Sequence, residues 1–296
     1  MASISQKVGR IITYWILAVS AFAILFPVYW TITTSFKDPV DVFTYPPALI
    51  PYVQFKPTID AWQRALIAPG AWWGLSLAAH GSGEVFHYLF NSAVVASLSS
   101  LLSVGLGSMA AYGLARFEFK RWKNRDIAFF VLSQRFLPPA VIVIPLFVLF
   151  KTLQMLDTYP ALIIAHITMG LPFAVWIMRE YFLETPKELE ESAYIDGCSI
   201  LQALRRIVIP IVAPGLISTI VLCFIFSWNE YLFALFLTQY NAMTIPALVA
   251  GATHSGAPLW WDIATMSTIA MIPPIIFALA VQKYIVRGLT FGAVKG

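Results

Sequence analysis

Trp228-Asn229-Glu230-Tyr231 sets aromatic faces beside an amide and a carboxylate at four consecutive positions. This is the chemistry a sugar needs, because its CH faces stack on rings while its hydroxyls pair with polar groups. A buried structural hydrogen bond is the alternative use of Asn229 and Glu230. A second polar pair, Gln134-Arg135, interrupts an otherwise uncharged run over 127–150 and is followed by Pro138-Pro139. An arginine facing lipid costs about 2.5–3.5 kcal/mol. Arg135 therefore lines a polar pathway, pairs with a neighbouring helix, or snorkels. The two prolines are expected to break the helix and free carbonyls for polar contact.

Other chemistry is poorly served. His80, His87, His166 and His254 are scattered without ligand spacing, and a satisfied interior histidine is the role expected of His166. Cys198 and Cys223 form no CxxC pair and read as small packed side chains. No Gly-Lys pair occurs anywhere, so no phosphate-cradling loop is encoded. The expectation is no catalytic residue, no metal site and no cofactor bound by this chain. Energy for any transport must come from another polypeptide or from an ion gradient.

The elements that position these residues follow from composition. Of 296 residues, 59% are hydrophobic and 11% charged, against about 45–50% and 25% in an ordinary soluble domain. Mean hydropathy is +0.76. A folded water-soluble chain could not hide so much apolar surface, so lipid is the main solvent. Uncharged or nearly uncharged runs over 11–36, 85–115, 127–150, 158–178, 207–229 and 263–282 each approach or exceed the twenty residues a bilayer core needs. The fold class expected is an all-α membrane protein with six transmembrane helices. Two further runs, 65–83 and 231–261, carry turn-formers and polar groups and are expected to be outer loops with short helical pieces. The stretch Tyr231 to Leu237 could extend the fifth helix. The first run is too long for a signal peptide's apolar region and Phe26-Pro27-Val28 offers no cleavage site, so it is expected to remain as a membrane helix.

Lysine and arginine fix the orientation. Lys7, Arg10, the Arg116–Arg125 cluster, Arg179, Lys187, Arg205, Arg206, Lys283, Arg287 and Lys295 fall on one side, against Lys37, Lys56, Arg64 and Lys151 on the other. Both termini are therefore expected in the cytoplasm. The basic balance then belongs to the membrane's inner face, and nucleic acid is not an expected partner. Trp260-Trp261 suits the headgroup belt, and Asp262 a helix start.

The cytoplasmic loop 179–206 reads as two short helices around a glycine. Thr185-Pro186-Lys187-Glu188 has the form of a capping box, predicting a helix from Pro186 to about Asp196. Gly197 sits where a left-handed cap is wanted. Ser199-Ile200-Leu201-Gln202 is a second box, opening a helix to about Ile209, with Pro210 entering the fifth membrane helix. Leu189, Ala193 and Ile195 are expected to pack on one side, with Glu188, Glu190 and Glu191 directed elsewhere. Such an elbow is either a plain connector or a docking site for a cytoplasmic partner.

Glu191-Ser192-Ala193-x-x-x-Gly197, nine residues, then Ile207-x-Ile209-Pro210 resembles the EAA signature of bacterial ABC-importer permeases. Ser192 stands where that pattern has its first alanine, and Ile209 where it has leucine. Ser35-Phe36-Lys37 with Tyr45-Pro46-Pro47, Trp228-Asn229-Glu230-Tyr231, and the C-terminal Val286-Arg287-Gly288-Leu289-Thr290 extend the resemblance to the carbohydrate type. The resemblance implies the type I importer permease fold. It divides the chain into an N-terminal helix (1–36), a periplasmic loop (37–84), a permease core (85–283, with the coupling loop 179–210) and a cytoplasmic tail (284–296). It implies a second permease as heterodimer partner, an ATPase homodimer that uses the ATP and Mg2+, an extracytoplasmic sugar-binding protein, and a sugar substrate in a bacterial inner membrane. It makes Glu191, Ser192, Ala193, Asp196, Gly197, Ile207 and Pro210 the ATPase-coupling residues, and suggests that Gly292, Lys295 and Gly296 reach the ATPase. Trp228, Asn229, Glu230, Tyr231, Gln134 and Arg135 are then substrate-pathway residues. An ion-coupled secondary carrier is the competing reading. It would favour paired repeats, which the sequence lacks, and it leaves the capped elbow without a task.

Overall fold

A computed structural model describes residues 4–66, 84–251 and 259–291. Within these, the chain is helical: α1 (Ile4–Thr34), α2 (Pro39–Val42), α3 (Asp60–Leu66), α4 (Glu84–Arg116), α5 (Asn124–Ser133), α6 (Pro139–Thr152), α7 (Tyr159–Glu184), α8 (Glu188–Ile195), α9 (Ile200–Ala203), α10 (Ile209–Trp228), α11 (Leu232–Leu237), α12 (Ile245–Gly251) and α13 (Trp260–Phe291). Five stretches are long and apolar enough to cross a membrane, namely α1, α4, α7, α9 with α10, and α13; α5 and α6 make a sixth if the bent pair is one span. The chain divides into two compact units, residues 1–86 with 252–271, and residues 87–251 with 272–296.

In the first unit, the end of α1 is a corner tied by side chains. Ser35 is buried, its carbonyl accepts from Thr265 Oγ1 at 3.3 Å and its hydroxyl from Trp62 Nε1 at 3.2 Å. Phe36 stacks on Trp62 with ring centroids 5.4 Å apart. Arg64 and Asp262 pair at 2.8 Å. Asp262 stands in the first turn of α13, where its charge also suits the positive helix end. None of the apolar window of α1 is buried, as expected of a helix solvated by lipid.

The second unit is built on α4, α7 and α10. Small residues let these helices approach closely. A Cβ on Gly107 would stand 2.8 Å from Ala174 Cβ, and one on Gly215 would stand 2.6 Å from the Tyr181 ring. Leu162, Met178 and Phe182 on α7 are fully buried.

One expectation is met and three need correction. The run 127–150 breaks at its prolines as expected: α5 ends in a 3-10 turn over Gln134–Phe136, and α6 leaves at 85°. Pro138 holds Leu137 in extended backbone, φ −65° and ψ 126°. Tyr231–Leu237 does not extend the fifth helix, because Glu230 accepts from the Leu232 and Phe233 amides at 2.8 and 3.0 Å and starts α11 afresh. The Thr185 capping box does not form: Thr185 Oγ1 donates back to Tyr181 O at 3.0 Å, and α8 begins at Glu188 rather than Pro186. Finally, α9 is not separate from helix five. A π turn over Leu204–Val208 carries it into α10, and this wider turn suits Pro210, which has no N–H to donate and crowds the preceding turn.

Candidate functional site

The elbow that follows α7 is held from behind by an arginine that the sequence did not single out. Arg116, at the end of α4, donates through Nε to Glu190 Oε1 at 2.6 Å, through Nη1 to Phe182 O at 2.7 Å and through Nη2 to Thr185 O at 3.0 Å. Tyr112, one turn earlier, donates to Glu190 Oε2 at 2.6 Å, and Tyr194 does so at 3.4 Å. The side chains of Arg116 and Glu190 are 7% and 4% exposed. Glu190 therefore does not point away with Glu188 and Glu191, as expected. It turns inward, because a buried guanidinium needs a carboxylate there. Nothing in the local spacing separates Glu190 from Glu188 and Glu191; its partner lies 74 residues upstream.

The glycine end conforms to expectation. Gly197 has φ +85°; its amide donates to Tyr194 O at 3.0 Å and that of Cys198 to Ala193 O at 2.9 Å. These two bonds are the Schellman pattern, which satisfies the last carbonyls of α8. The Ser199–Gln202 box is formed in both directions. Ala193 is buried, and Ile207 half-buried. Glu191, Ser192, Asp196, Gly197 and Pro210 are exposed, with Ser192 Oγ bonded to Glu188 O. Leu189 and Ile195 do not pack beside Ala193. They are exposed, Ile195 at 88%, and are joined in that by Ile200 and Leu201, because α8 has one buried face and Glu190 occupies it.

A second polar locus is a cavity of about 130 Å³ whose lining includes Ser99, Ser100, Ser103, Arg135, His166, Ser227 and Glu230. A hydroxyl chain crosses it: Ser99 Oγ to Ser227 Oγ at 2.9 Å, then Ser227 Oγ to His166 Nδ1 at 2.6 Å. His166 is not the fully satisfied histidine expected. Its buried Nε2 lies 3.4 Å from Glu230 Oε2 without forming a hydrogen bond, because the Glu230 oxygens are directed at the α11 amides. Arg135 donates to Met169 O at 3.2 Å and stands 5.0 Å from the Phe226 ring centre.

The cavity thus gathers Arg135 and Glu230 but not their sequence neighbours. Gln134 is exposed and bonds Phe130 O at 3.3 Å. Trp228 is buried and stacks on Phe224. Asn229 is exposed, with Nδ2 on Ile225 O at 2.8 Å, and Tyr231 is 47% exposed. Gly292, Lys295 and Gly296 lie outside the described residues, as do His80 and His254. Among the described residues no group of histidine, cysteine and carboxylate side chains could hold a metal ion.

Asp157 is a further residue the sequence did not flag. Its carboxylate accepts from the amides of Gln239, Tyr240, Asn241 and Ala242 at 3.0–3.2 Å and pins the loop after α11 to the start of α7. Burial pushes its pKa up, but these N–H groups outweigh that and hold it below the usual carboxylate value.

Residues 103–291 match the model of the family described as binding-protein-dependent transport system inner membrane component. The trehalose/maltose transport system permease protein MalG of Thermococcus litoralis is 39% identical over 280 residues, 93% of each chain. The inner membrane ABC transporter permease protein YcjP of Escherichia coli is 32% identical over the whole of both chains. The diacetylchitobiose uptake system permease protein DasC of Streptomyces coelicolor is 31% identical over 92% of each. In fold, the chain resembles a solved bacterial ABC transporter involved in the import of the acidic polysaccharide alginate, with TM-score 0.69, 23% identity, and coverage of 96% of this chain and 99% of that one. The chain is a multi-pass protein of the cytoplasmic membrane and belongs to the family of binding-protein-dependent transport system inner membrane components.

Proposed function

We propose that this chain is the permease subunit of an ATP-driven importer for a sugar or sugar derivative, pairing with a second permease and receiving its drive through the elbow at α8 and α9. The observation that carries this reading is mechanical. The elbow's exposed residues (Glu191, Ser192, Asp196, Gly197 and the apolar Leu189, Ile195, Ile200 and Leu201) project from a segment clamped by Arg116 and Glu190 and closed by two complete caps. A lever must be stiff behind and complementary in front. An ATPase homodimer would supply the complementary face and consume the ATP and Mg2+, with ATP closure moving the elbow as a unit. Both termini lie in the cytoplasm on this reading, and Gly292, Lys295 and Gly296 reach toward the ATPase.

The substrate class rests on the relatives, whose names give trehalose/maltose and diacetylchitobiose. A binding protein outside the membrane delivers the sugar. Arg135 and Glu230 line its pathway with the serines beside His166, offering alternating donors and acceptors to hydroxyls. Trp228 and Asn229 support the turn that carries Glu230, while Tyr231 and Gln134 flank it.

Purification of the complex from cells tests the reading. Co-elution with an ATPase, and uptake that survives collapse of ion gradients while ATP persists, are expected; uptake abolished by ionophores with ATP intact would instead indicate an ion-coupled carrier. Gly197→Pro should leave the membrane helices inserted but uncouple transport. Normal uptake by that variant would sink the lever. Removal of Phe291–Gly296 should reduce ATPase stimulation.

A further inference from the structure

Lys37, just beyond α1, is only 3% exposed. Among the described residues it has no carboxylate within ion-pair distance. Its Nζ lies instead 4.2 Å from the Trp30 ring centre and 5.3 Å from that of Phe55. Cation–π contacts of this kind recover only part of the cost of desolvating an ammonium group. Burial pushes the Lys37 pKa down, and only the more distant charge of Asp41 pushes it back. One turn earlier, Thr34 is 7% exposed and its buried Oγ1 has no hydrogen-bond partner among the described residues.

These two incompletely satisfied groups line the same pocket, of about 470 Å³, together with Trp30, Phe43 and Trp260. A cation without a counter-ion and a hydroxyl without a partner together lack one thing, an anion with several acceptor oxygens. The surroundings indicate its carrier. Trp30 lies near the end of α1 and Trp260, 46% exposed, opens α13, both membrane-length helices, and aromatic rings at such ends sit at headgroup level. The pocket is also wider than a lone phosphate requires.

We propose that this pocket binds the phosphate of an anionic phospholipid headgroup, with Lys37 as its counter-charge, Thr34 Oγ1 donating to a phosphate oxygen, and the aromatic side chains against the glycerol and upper acyl region. The site is independent of the elbow and of the cavity at His166, and it does not depend on which sugar is carried.

The test uses the full-length chain in detergent, titrated with phosphatidylglycerol or with phosphatidylcholine of the same chains, counting retained lipid by native mass spectrometry. Wild type should retain one phosphatidylglycerol in preference to phosphatidylcholine. Lys37→Met should weaken that retention about tenfold, as for loss of a charge-assisted bond, and Lys37→Arg should restore most of it. Thr34→Val keeps the charge and should weaken it about threefold, which preserves the test if Lys37→Met fails to fold. Inorganic phosphate separates the two sources of the anion. Lys37-dependent phosphate binding without phosphatidylglycerol retention would overturn the lipid headgroup in favour of a free anion. Equal retention of both lipids, or retention unchanged in both Lys37→Met and Thr34→Val, would overturn the site altogether.

Discussion

The elbow and the cavity are both polar, and both lie in the unit built on α4, α7 and α10, yet they are built oppositely. At the elbow the buried charges are saturated: Arg116 spends three nitrogens on three acceptors, and both oxygens of Glu190 are taken. At the cavity, His166 Nε2 has no hydrogen bond and Glu230 is shared between a histidine at 3.4 Å and the amides of α11. A saturated network has one geometry and resists displacement. An unsaturated one can exchange partners. On the proposed function, the contrast is between a part that would transmit and a part that would yield.

The largest effect should come from breaking the saturated side. Glu190→Ala leaves Arg116 buried without its carboxylate, at a cost of about 3–5 kcal/mol; urea unfolding in micelles should show it, and Glu190→Gln should cost distinctly less. If the two variants were equal, charge would not be what holds the elbow. Gly197→Ala comes next, at about 1–2 kcal/mol. A Cβ there meets no atom within 4 Å, so the cost is purely that of the left-handed backbone, and Gly197→Asn should recover part of it.

Asp157→Asn should cost about 1 kcal/mol at neutral pH by weakening the bonds from the 239–242 amides. Because the folded pKa is depressed, the ionised form stabilises above the unfolded value of about 3.9. That contribution is lost as pH falls through the lower folded value. The stability gap between wild type and Asp157→Asn should therefore narrow in acid below about pH 4, and a constant gap would refute the role of the ionised carboxylate in holding those amides. The smallest effect belongs to the yielding side. Ser227→Ala cuts the hydroxyl chain from Ser99 to His166 for about 1 kcal/mol or less. It should move sugar uptake more than unfolding, and the reverse ranking would cancel the contrast.

What the sequence disclosed follows the range of the interactions involved. The apolar runs, the Gly197 cap and the Ser199–Gln202 box depend on residues a few positions apart, and all stand in the structure. The inward turn of Glu190 depends on Arg116, and the role of Asp157 on amides more than 80 residues later. No local pattern encodes either. Thr185 shows the same limit in reverse. Its capping motif is intact, but Arg116 claims its carbonyl and the segment is drawn into another path. The cavity was half legible, because expense in lipid marked Arg135 but could not say which of Trp228, Asn229, Glu230 and Tyr231 would share its space.

The π turn at Leu204–Val208 has a consequence for how this chain can change. Such a turn is an α-helix carrying one additional residue. Deleting a single residue there would restore an unbroken helix while keeping α9 and α10 in nearly the same relative orientation, because the wide turn already absorbs that residue. The same deletion in the regular part of α10 would instead turn α9 about 100° and draw it about 1.5 Å toward the membrane. The π turn is thus the place where this span can lose one residue without re-aiming the exposed front of the elbow.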